Sequence, residues 1–111
     1  MEYKFTDQNF SKEVLESELP VLVDFYADWC GPCQMMGSVI EEIAKEMEAM
    51  PAGRQGKVKV GKINVDENQQ TAGQYGVMSI PTLILFKKGQ PEKTIVGFRN
   101  KKDIVKEISN F

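Results

Sequence analysis

The sequence predicts an α/β fold in which helices cover both faces of a central mixed, mostly parallel β-sheet. Strand-like and helix-like segments alternate along the chain in the order β-α-β-α-β-α-β-β-α. The run Val21–Ala27 is almost continuously apolar, as in strands that are covered on both faces. The length of 111 residues is that of one ordinary domain, which we assign to residues 1–111.

The N-terminal elements are assigned from turn residues and from the spacing of apolar residues. Tyr3–Phe5 is predicted to be a short edge strand. Thr6 or Asn9 is predicted to cap a helix that ends at Pro20 and precedes the strand Val21–Ala27. The residues that this helix would bury are Phe10, Val14 and Leu15.

A longer helix is predicted from about Cys33 to Met47, because apolar residues recur there at helical spacing while charged residues occupy the other positions. Met50–Gly56 contains one Pro and two Gly and is predicted to be a loop. Val58–Val65 is predicted to be the strand after it. The apolar stripe of the helix comprises Met36, Val39, Ile40, Ile43 and Met47.

The next helix and strand are short. Asp66 is predicted to cap a helix that runs through Gln74 and is closed by Gly76. Thr82–Lys87 is apolar apart from its ends and is predicted to be a third buried strand.

The chain is predicted to finish with a hairpin and a helix. Lys88–Pro91 would form the turn and Thr94–Val96 the returning strand. Asn100, with Asp103 three residues later, has the spacing of a capping box. The residues that the last helix would bury are Ile104, Ile108 and Phe111.

Composition excludes several kinds of active site. With no His and two Cys, the chain has neither a Cys-His catalytic pair nor a four-ligand Cys/His zinc site, and we expect no metal. A net charge of -2 argues against a nucleic-acid partner. No segment reaches the roughly 20 apolar residues of a membrane span, and Met1–Gln8 lacks the pattern of a secretory signal. We therefore expect a cytoplasmic protein without a membrane partner.

Both cysteines lie in the segment Trp29-Cys30-Gly31-Pro32-Cys33, between a predicted strand and a predicted helix. Unpaired N–H groups and the helix dipole at a helix N-terminus favour the thiolate over the thiol. Gly31 permits a tight turn, Pro32 suits the first helical position, and two intervening residues leave the sulfurs within bonding reach. We expect Cys30 to be the more exposed of the two and Cys33 to be shielded. The pattern predicts a redox-active pair.

Three other interpretations of the two cysteines remain open on the residues alone. A structural disulfide across two residues would close a very small loop and stabilise the fold little. The pair would be half of a zinc site if carboxylates or a second chain supplied the other ligands. The two residues would otherwise be unrelated buried thiols. Their position at a strand-to-helix junction favours the redox interpretation.

The sequence resembles the thioredoxin family over essentially its whole length. Trp29–Cys33 matches the family's active-site motif. Other matches lie at Val21–Ala27, Lys62–Asp66, Ile80–Thr82 and Gly97. The resemblance implies the thioredoxin fold and a protein-disulfide reductase whose redox centre is a Cys30–Cys33 disulfide, with no bound cofactor. It implies disulfide-containing target proteins and a thioredoxin reductase as partners, and we expect a monomer.

The resemblance implies roles for four side chains in the reaction. Cys30 would attack a target disulfide, and Cys33 would resolve the mixed disulfide. Asp24 would lie behind Cys33 and relay protons, and burial would raise its pKa unless the carboxylate were paired. Lys62 would pair with Asp24. A solvated Asp24 and an exposed Lys62 are the alternatives.

The resemblance also implies a docking surface around the two cysteines. Pro81 would be a cis proline that faces them, and the backbone of Ile80 would pair with an extended substrate; the alternative is a proline that starts a strand. For Trp29 the alternative is core packing. The docking rim comprises Trp29, Gly31, Pro32, Ser79, Ile80, Val96 and Gly97.

Three features depart from the family pattern. Ser38 stands where many members have a helix-kinking Pro, so we expect a straighter helix. Gln34 replaces a basic residue often found after the second Cys, which weakens the local positive potential. The Met50–Gly56 loop is longer than usual and is a candidate partner contact.

Two other functions stay open beside the reductase. A thiol oxidant or isomerase would work in an oxidising compartment, but the Gly31–Pro32 pair and the missing signal pattern argue against it. A binding module would present the same fold to a partner that ignores the thiols. That partner would bind a Cys30→Ser/Cys33→Ser variant unchanged.

Overall fold

The computed structural model describes residues 2–110, and the strands and helices in that range follow the expected order. The strands are β1 (Tyr3–Phe5), β2 (Val21–Tyr26), β3 (Lys59–Asn64), β4 (Thr82–Lys87) and β5 (Gln90–Val96). A π-helical turn spans Ser11–Leu15. The α-helices are α1 (Gly31–Ala49), α2 (Gln69–Gln74) and α3 (Lys101–Ser109).

The strands in residues 2–110 form one mixed sheet in the order β1-β3-β2-β4-β5. β3 pairs in parallel with β1 and with β2, whereas β4 pairs antiparallel with both β2 and β5. Two of the four pairs in this range are parallel, and four of the five strands, β1, β2, β3 and β5, run in one direction. The expected mixed, mostly parallel sheet is confirmed.

Each face of the sheet has its own apolar core, as the helices on both sides predict. α1 and α3 cover the face that carries Leu22, Val60 and Leu83. The π-helical turn and α2 cover the face that carries Val23, Phe25 and Ile63. Because side chains alternate along a strand, Asp24 and Lys62 lie on the α1 face.

Helix α1 begins two residues earlier and ends two residues later than predicted. Gly31 and Pro32 belong to its first turn, where a proline needs no hydrogen-bond acceptor for a backbone N–H. Its buried side includes Cys33, Met36, Ile40 and Ile43, and Val39 and Met47 are partly buried against the same core.

The first helical segment is shorter than predicted, because it ends at Leu15 and not at Pro20. The predicted cap is also wrong, since the N-cap residue is Phe10 and makes no side-chain capping bond. Thr6 and Asn9 bond reciprocally, because each backbone N–H donates to the other's side-chain oxygen, at 2.8 and 3.1 Å. The segment buries Phe10 and Val14, and Leu15 is half-buried. A bond from the Glu16 N–H to the Ser11 carbonyl gives the turn its π-helical geometry.

Two boundary predictions in the C-terminal half are wrong. Asp66 does not cap α2: the helix begins only after Asn68, and the Asp66 carboxylate accepts the indole N–H of Trp29 instead. The hairpin turn is confined to Lys88 and Gly89, both with positive φ, so β5 already begins at Gln90.

Three other predictions for this half are confirmed. The strand Thr82–Lys87 has the predicted ends, and Gly76 follows α2 with a φ of 65°. The Asn100 side chain accepts the Asp103 N–H at 2.9 Å, and α3 buries Ile104 and Ile108. Phe111, the third residue expected to be buried there, lies outside the described residues.

The segment Met50–Gly56 is a loop, as predicted, and its residues from 51 to 56 are exposed. The Lys57 side chain donates to the Met50 carbonyl at 2.7 Å and so ties the end of the loop to its start. Within residues 2–110, no helix combines the length and the apolar character needed to cross a bilayer.

Candidate active site

Cys30 and Cys33 lie at the start of α1, a few residues after the end of β2. The two residues form a disulfide, with their Cα atoms 5.2 Å apart. Cys30 is 5% exposed and Cys33 is 4% exposed, so the contrast in exposure that we expected is almost absent. Ala27 and the half-buried Ile80 pack against the pair.

The start of α1 presents a hydrogen-bond donor to Cys30. Cys30 is the N-cap residue, and its Sγ accepts the Cys33 backbone N–H at 3.1 Å. A sulfur that accepts a helix N-terminal N–H is stabilised as an anion, and the helix dipole acts in the same direction. The local geometry therefore favours a thiolate at Cys30 once the disulfide is reduced.

The segment before β4 lies against the disulfide. The Ile80–Pro81 peptide bond is cis, as the resemblance implied, and Pro81 is buried. The carbonyl oxygen of Ile80 lies 3.9 Å from Sγ of Cys30. The Gly97 N–H donates to the Pro81 carbonyl at 2.8 Å, so the end of β5 holds this segment in place.

Asp24 is a buried acid on the face of the sheet that α1 covers. It is 1% exposed, and its Oδ1 has no hydrogen-bond partner among the described residues. Burial, and then the charge of Glu2, raises the pKa of Asp24 from 3.8 to about 7, while the charge of Lys62 acts in the opposite direction. This finding excludes the solvated Asp24 that was the alternative.

Lys62 stands opposite Asp24 in the register of β2 and β3. The direct ion pair implied by the resemblance is absent between these two residues, and the Lys62 Nζ instead lies 5.3 Å from the centroid of the Tyr26 ring. Lys62 is half-buried, which also excludes a fully solvated side chain. Its charge acts on Asp24 through space.

A cleft of about 310 Å³ brings these groups together beside Cys33. The resemblance implied that Cys33, Asp24 and Lys62 lie together, and Glu2 and Glu41, which it did not include, also line the cleft. Glu2 could have been found from the sequence, because side chains alternate along an extended chain and Glu2 therefore lies on the same face of the sheet as Lys4. Within the described residues, no group of three or more Cys, Asp or Glu residues could hold a metal ion.

The predicted docking rim is largely accessible. Trp29 is 73% exposed, which excludes core packing, and its indole Nε1 donates to Oδ2 of Asp66 at 2.9 Å. Val96 is 52% exposed. Gly31, Pro32 and Ser79 are also exposed, and Ile80 and Gly97 are half-buried.

Two exposed methionines were not included in the predicted rim. Met78, next to Ser79 in the chain, is 96% exposed, and Met35 in the first turns of α1 is 58% exposed. Both could have been included from the sequence, because they lie close in the chain to residues already assigned to the rim. Exposed apolar side chains that join a larger apolar patch mark contact surfaces.

Two of the departures from the family pattern lie on α1. The Gln34 side chain donates to the Asp28 carbonyl at 3.3 Å and thereby links the helix to the segment before the motif. Ser38 is exposed and lies along the cleft beside Asp24. Their predicted effects on potential and helix shape stay predictions.

Comparison with known proteins places the chain among redox proteins. The thioredoxin family model matches residues 2–110. A thioredoxin of Rickettsia conorii is 52% identical over 103 residues, which cover 93% of this chain and 91% of that protein. Thioredoxin 1 of a Nostoc species is 54% identical over 92 residues, or 83% of this chain and 79% of the relative. A Mycobacterium bovis thioredoxin is 50% identical over 107 residues, 96% of this chain and 86% of its own length.

Proposed function

Because the chain belongs to the thioredoxin family and is a thiol–disulfide oxidoreductase, we propose that it reduces target proteins with Cys30 as the nucleophile and Cys33 as the resolving thiol. The observation that carries this assignment is the 3.1 Å bond from the Cys33 N–H to Sγ of Cys30. That donor stabilises negative charge on Cys30 alone. The thiolate is the reactive form in exchange, so Cys30 is the sulfur that attacks first.

The first step is an attack by the Cys30 thiolate on one sulfur of a target disulfide. The Cys30–target bond forms, the target's own S–S bond breaks, and the second target sulfur leaves as a thiolate that takes a proton from water. Ile80 lies at the place where a target strand would run. Its carbonyl oxygen, 3.9 Å from the Cys30 sulfur, is available to a backbone N–H of an extended segment.

The second step releases the target. The Asp24 carboxylate takes the proton of the Cys33 thiol, and the resulting thiolate attacks the Cys30 sulfur. The Cys30–Cys33 bond forms, the Cys30–target bond breaks, and the target sulfur leaves as a thiolate that takes a proton from water. Two electrons have then passed to the target. A pKa of about 7 suits Asp24 for this proton transfer, because a general base works best when its pKa is close to the working pH.

Lys62 and the docking rim support these steps in different ways. The charge of Lys62 opposes the rise in the pKa of Asp24. The rim, from Trp29 to Gly97, would hold the target while the two exchanges take place; Trp29 and Val96 offer its exposed apolar area. We assign this role to Trp29, Gly31, Pro32, Ser79, Ile80, Pro81, Val96 and Gly97.

A thioredoxin reductase would return the disulfide to the dithiol form and thus complete the cycle. Such a cycle suits the cytoplasm, where thiols are kept reduced, and needs no bound cofactor because the electrons reside on the two sulfurs. We assign the chain to that compartment as a monomer that binds neither nucleic acid nor membrane. Its net charge of -2 supports the exclusion of nucleic acid.

The test is reduction of a disulfide-containing model protein with dithiothreitol as the electron donor. The wild type should accelerate the reaction, and Cys30→Ser should abolish the acceleration. Cys33→Ser should accumulate a covalent adduct with the target through Cys30, whereas Cys30→Ser/Cys33→Ser forms none. Full turnover by Cys30→Ser would refute the assignment.

A further inference from the structure

The cleft beside Cys33 contains a carboxyl group that the proposed function does not use. Asp24, Cys33 and Lys62 line this cleft, and Glu2 lines it as well. The cleft measures about 310 Å³, which is room for water next to the buried acid. Glu2 therefore lies where a second charge can act on the proton of Asp24.

The strand register explains why Glu2 reaches this place. Lys4, Lys62 and Asp24 stand in one row across β1, β3 and β2. Glu2 precedes Lys4 by two residues and so lies on the same face of the sheet, the face that α1 covers. It is half-buried, whereas Asp24 is 1% exposed.

Both carboxyl groups have an oxygen without a partner. Oε2 of Glu2 and Oδ1 of Asp24 are buried and accept no hydrogen bond from the described residues. A buried carboxylate without a donor is costly, and two carboxylates in one site do not ionise independently. Their common position in one cleft indicates that the two groups share their electrostatic environment.

The cleft is lined by more carboxyl groups than ammonium groups. Asp28 and Glu41 add two further carboxylates, from the segment before the motif and from α1, and Lys62 is the single ammonium among these lining residues. Burial raises the pKa of Glu2. The charge of Lys62 lowers this pKa, and the charge of Glu41 raises it. Among these groups, Glu2 and Lys62 are the charges that act on Asp24.

We propose that Glu2 is a positioning residue for proton transfer, which from its place in the cleft sets how firmly Asp24 holds its proton. The inference rests on the proposed function, in which Asp24 accepts the proton of Cys33. When Glu2 is ionised, its charge repels a second negative charge, so the proton taken from Cys33 stays on Asp24 until a higher pH. No bond changes at Glu2 itself.

The test compares two charge removals in the same cleft. Glu2→Gln keeps the size of the side chain and removes its charge. Glu41→Gln is the matched control, because Glu41 lines the cleft from α1 but does not act directly on Asp24. The Asp24 carboxyl is titrated by carbon NMR in the oxidised protein, and the pH dependence of the resolving step is followed in the reduced protein.

In Glu2→Gln, the midpoint of the Asp24 titration should move to lower pH by about one unit, and the pH profile of the resolving step should move with it. Glu41→Gln should shift the midpoint of the Asp24 titration less than half as far. Glu2→Asp retains the charge, so its midpoint should lie close to that of the wild type. An Asp24 midpoint in Glu2→Gln equal to that of the wild type would overturn the inference. An equal shift in both Gln variants would do so too.

Asp24→Asn separates this inference from the function on which it rests. If the pH profile of the resolving step survives in Asp24→Asn, the proton role of Asp24 fails, and the inference fails with it. If Asp24→Asn removes the profile while Glu2→Gln leaves it in place, the role of Asp24 stands and only the role of Glu2 is lost.

Discussion

Asp24 and Lys62 are register partners on β2 and β3, yet the Lys62 ammonium lies over the Tyr26 ring and does not bond the Asp24 carboxyl. The acid is 1% exposed, and its Oδ1 has no hydrogen-bond partner in the part of the chain that the structure describes. The charge of Lys62 therefore offsets only part of the free energy that burial adds to the ionisation of Asp24. A raised pKa follows from this arrangement, and it has consequences for both stability and reactivity.

The raised pKa predicts that stability falls as the pH rises through neutrality. Between 3.8 and about 7, the folded chain keeps the Asp24 proton that the unfolded chain has lost. The folded state thus binds more protons there, and the contribution of Asp24 to the free energy of unfolding decreases by about 4 kcal/mol across the window. Above about 7 this contribution becomes constant.

Chemical denaturation of the oxidised protein from about pH 4 to about pH 8 checks this pH dependence. Asp24→Asn should lack the decrease, because the amide does not titrate. Subtracting the variant's curve from that of the wild type removes the contributions of other groups. Parallel curves for the two proteins would show that Asp24 titrates alike in the folded and unfolded chains.

Lys62→Met should raise the pKa of Asp24 further, because it removes the positive charge that lowers that pKa. The acidic limb of the pH profile for target reduction should then move to higher pH. Lys4→Met is the matched control, since Lys4 is the other register partner of Lys62 but is exposed on the edge strand. Equal shifts of the pH profile in both variants would contradict a specific effect of Lys62 on the pKa of Asp24.

The bond from the Trp29 indole to Asp66 predicts a role for Asp66 in holding the docking rim. Asp66→Ala should free the exposed indole and lower kcat/KM for a protein target several-fold, while a small disulfide is reduced at the wild-type rate. Stability should change by no more than about 1 kcal/mol. Trp29 is the only Trp in the chain, so its fluorescence reports the change directly. Asp66→Asn keeps an acceptor and should retain most of the wild-type behaviour.

β1 and β3 pack so closely at Gly61 that there is no room for a larger side chain at this position. A Cβ at this position would overlap the Phe5 ring and stand 2.8 Å from the Tyr3 carbonyl oxygen. Gly61→Ala should therefore lower the free energy of unfolding by about 1–3 kcal/mol. Gly73→Ala, in α2 with open space around it, should be neutral or stabilising. Urea denaturation of both variants measures the difference.

The redox pair could be predicted from sequence because its chemistry is local. Two cysteines, a glycine and a proline in five residues determine both the start of α1 and the position of the N–H that bonds Cys30. The boundaries of short elements could not be predicted as well. Asp66 has the residue type of a cap, but its carboxylate accepts the indole N–H of Trp29, and α2 begins only at Gln69.

Features that depend on distant packing were the ones that sequence reasoning missed. Whether Cys30 is exposed depends on how Ile80 packs against it, and the two residues are far apart in the chain. The place of Glu2 beside Asp24 depends on the pairing of β1 with β3. The exposure of Met78 depends on how the segment before Pro81 passes over the surface, which spacing does not reveal.

The acidity of the Cys30 thiol is the most direct test of the whole account. The rate at which Cys30 of the reduced protein is alkylated should be measured against pH, with a cysteine-containing peptide as the reference. The account predicts that the pKa of Cys30 lies below the value of about 8.5 for a free cysteine, because the Cys33 N–H and the helix dipole stabilise its thiolate. A pKa for Cys30 equal to or above that of the peptide would contradict it.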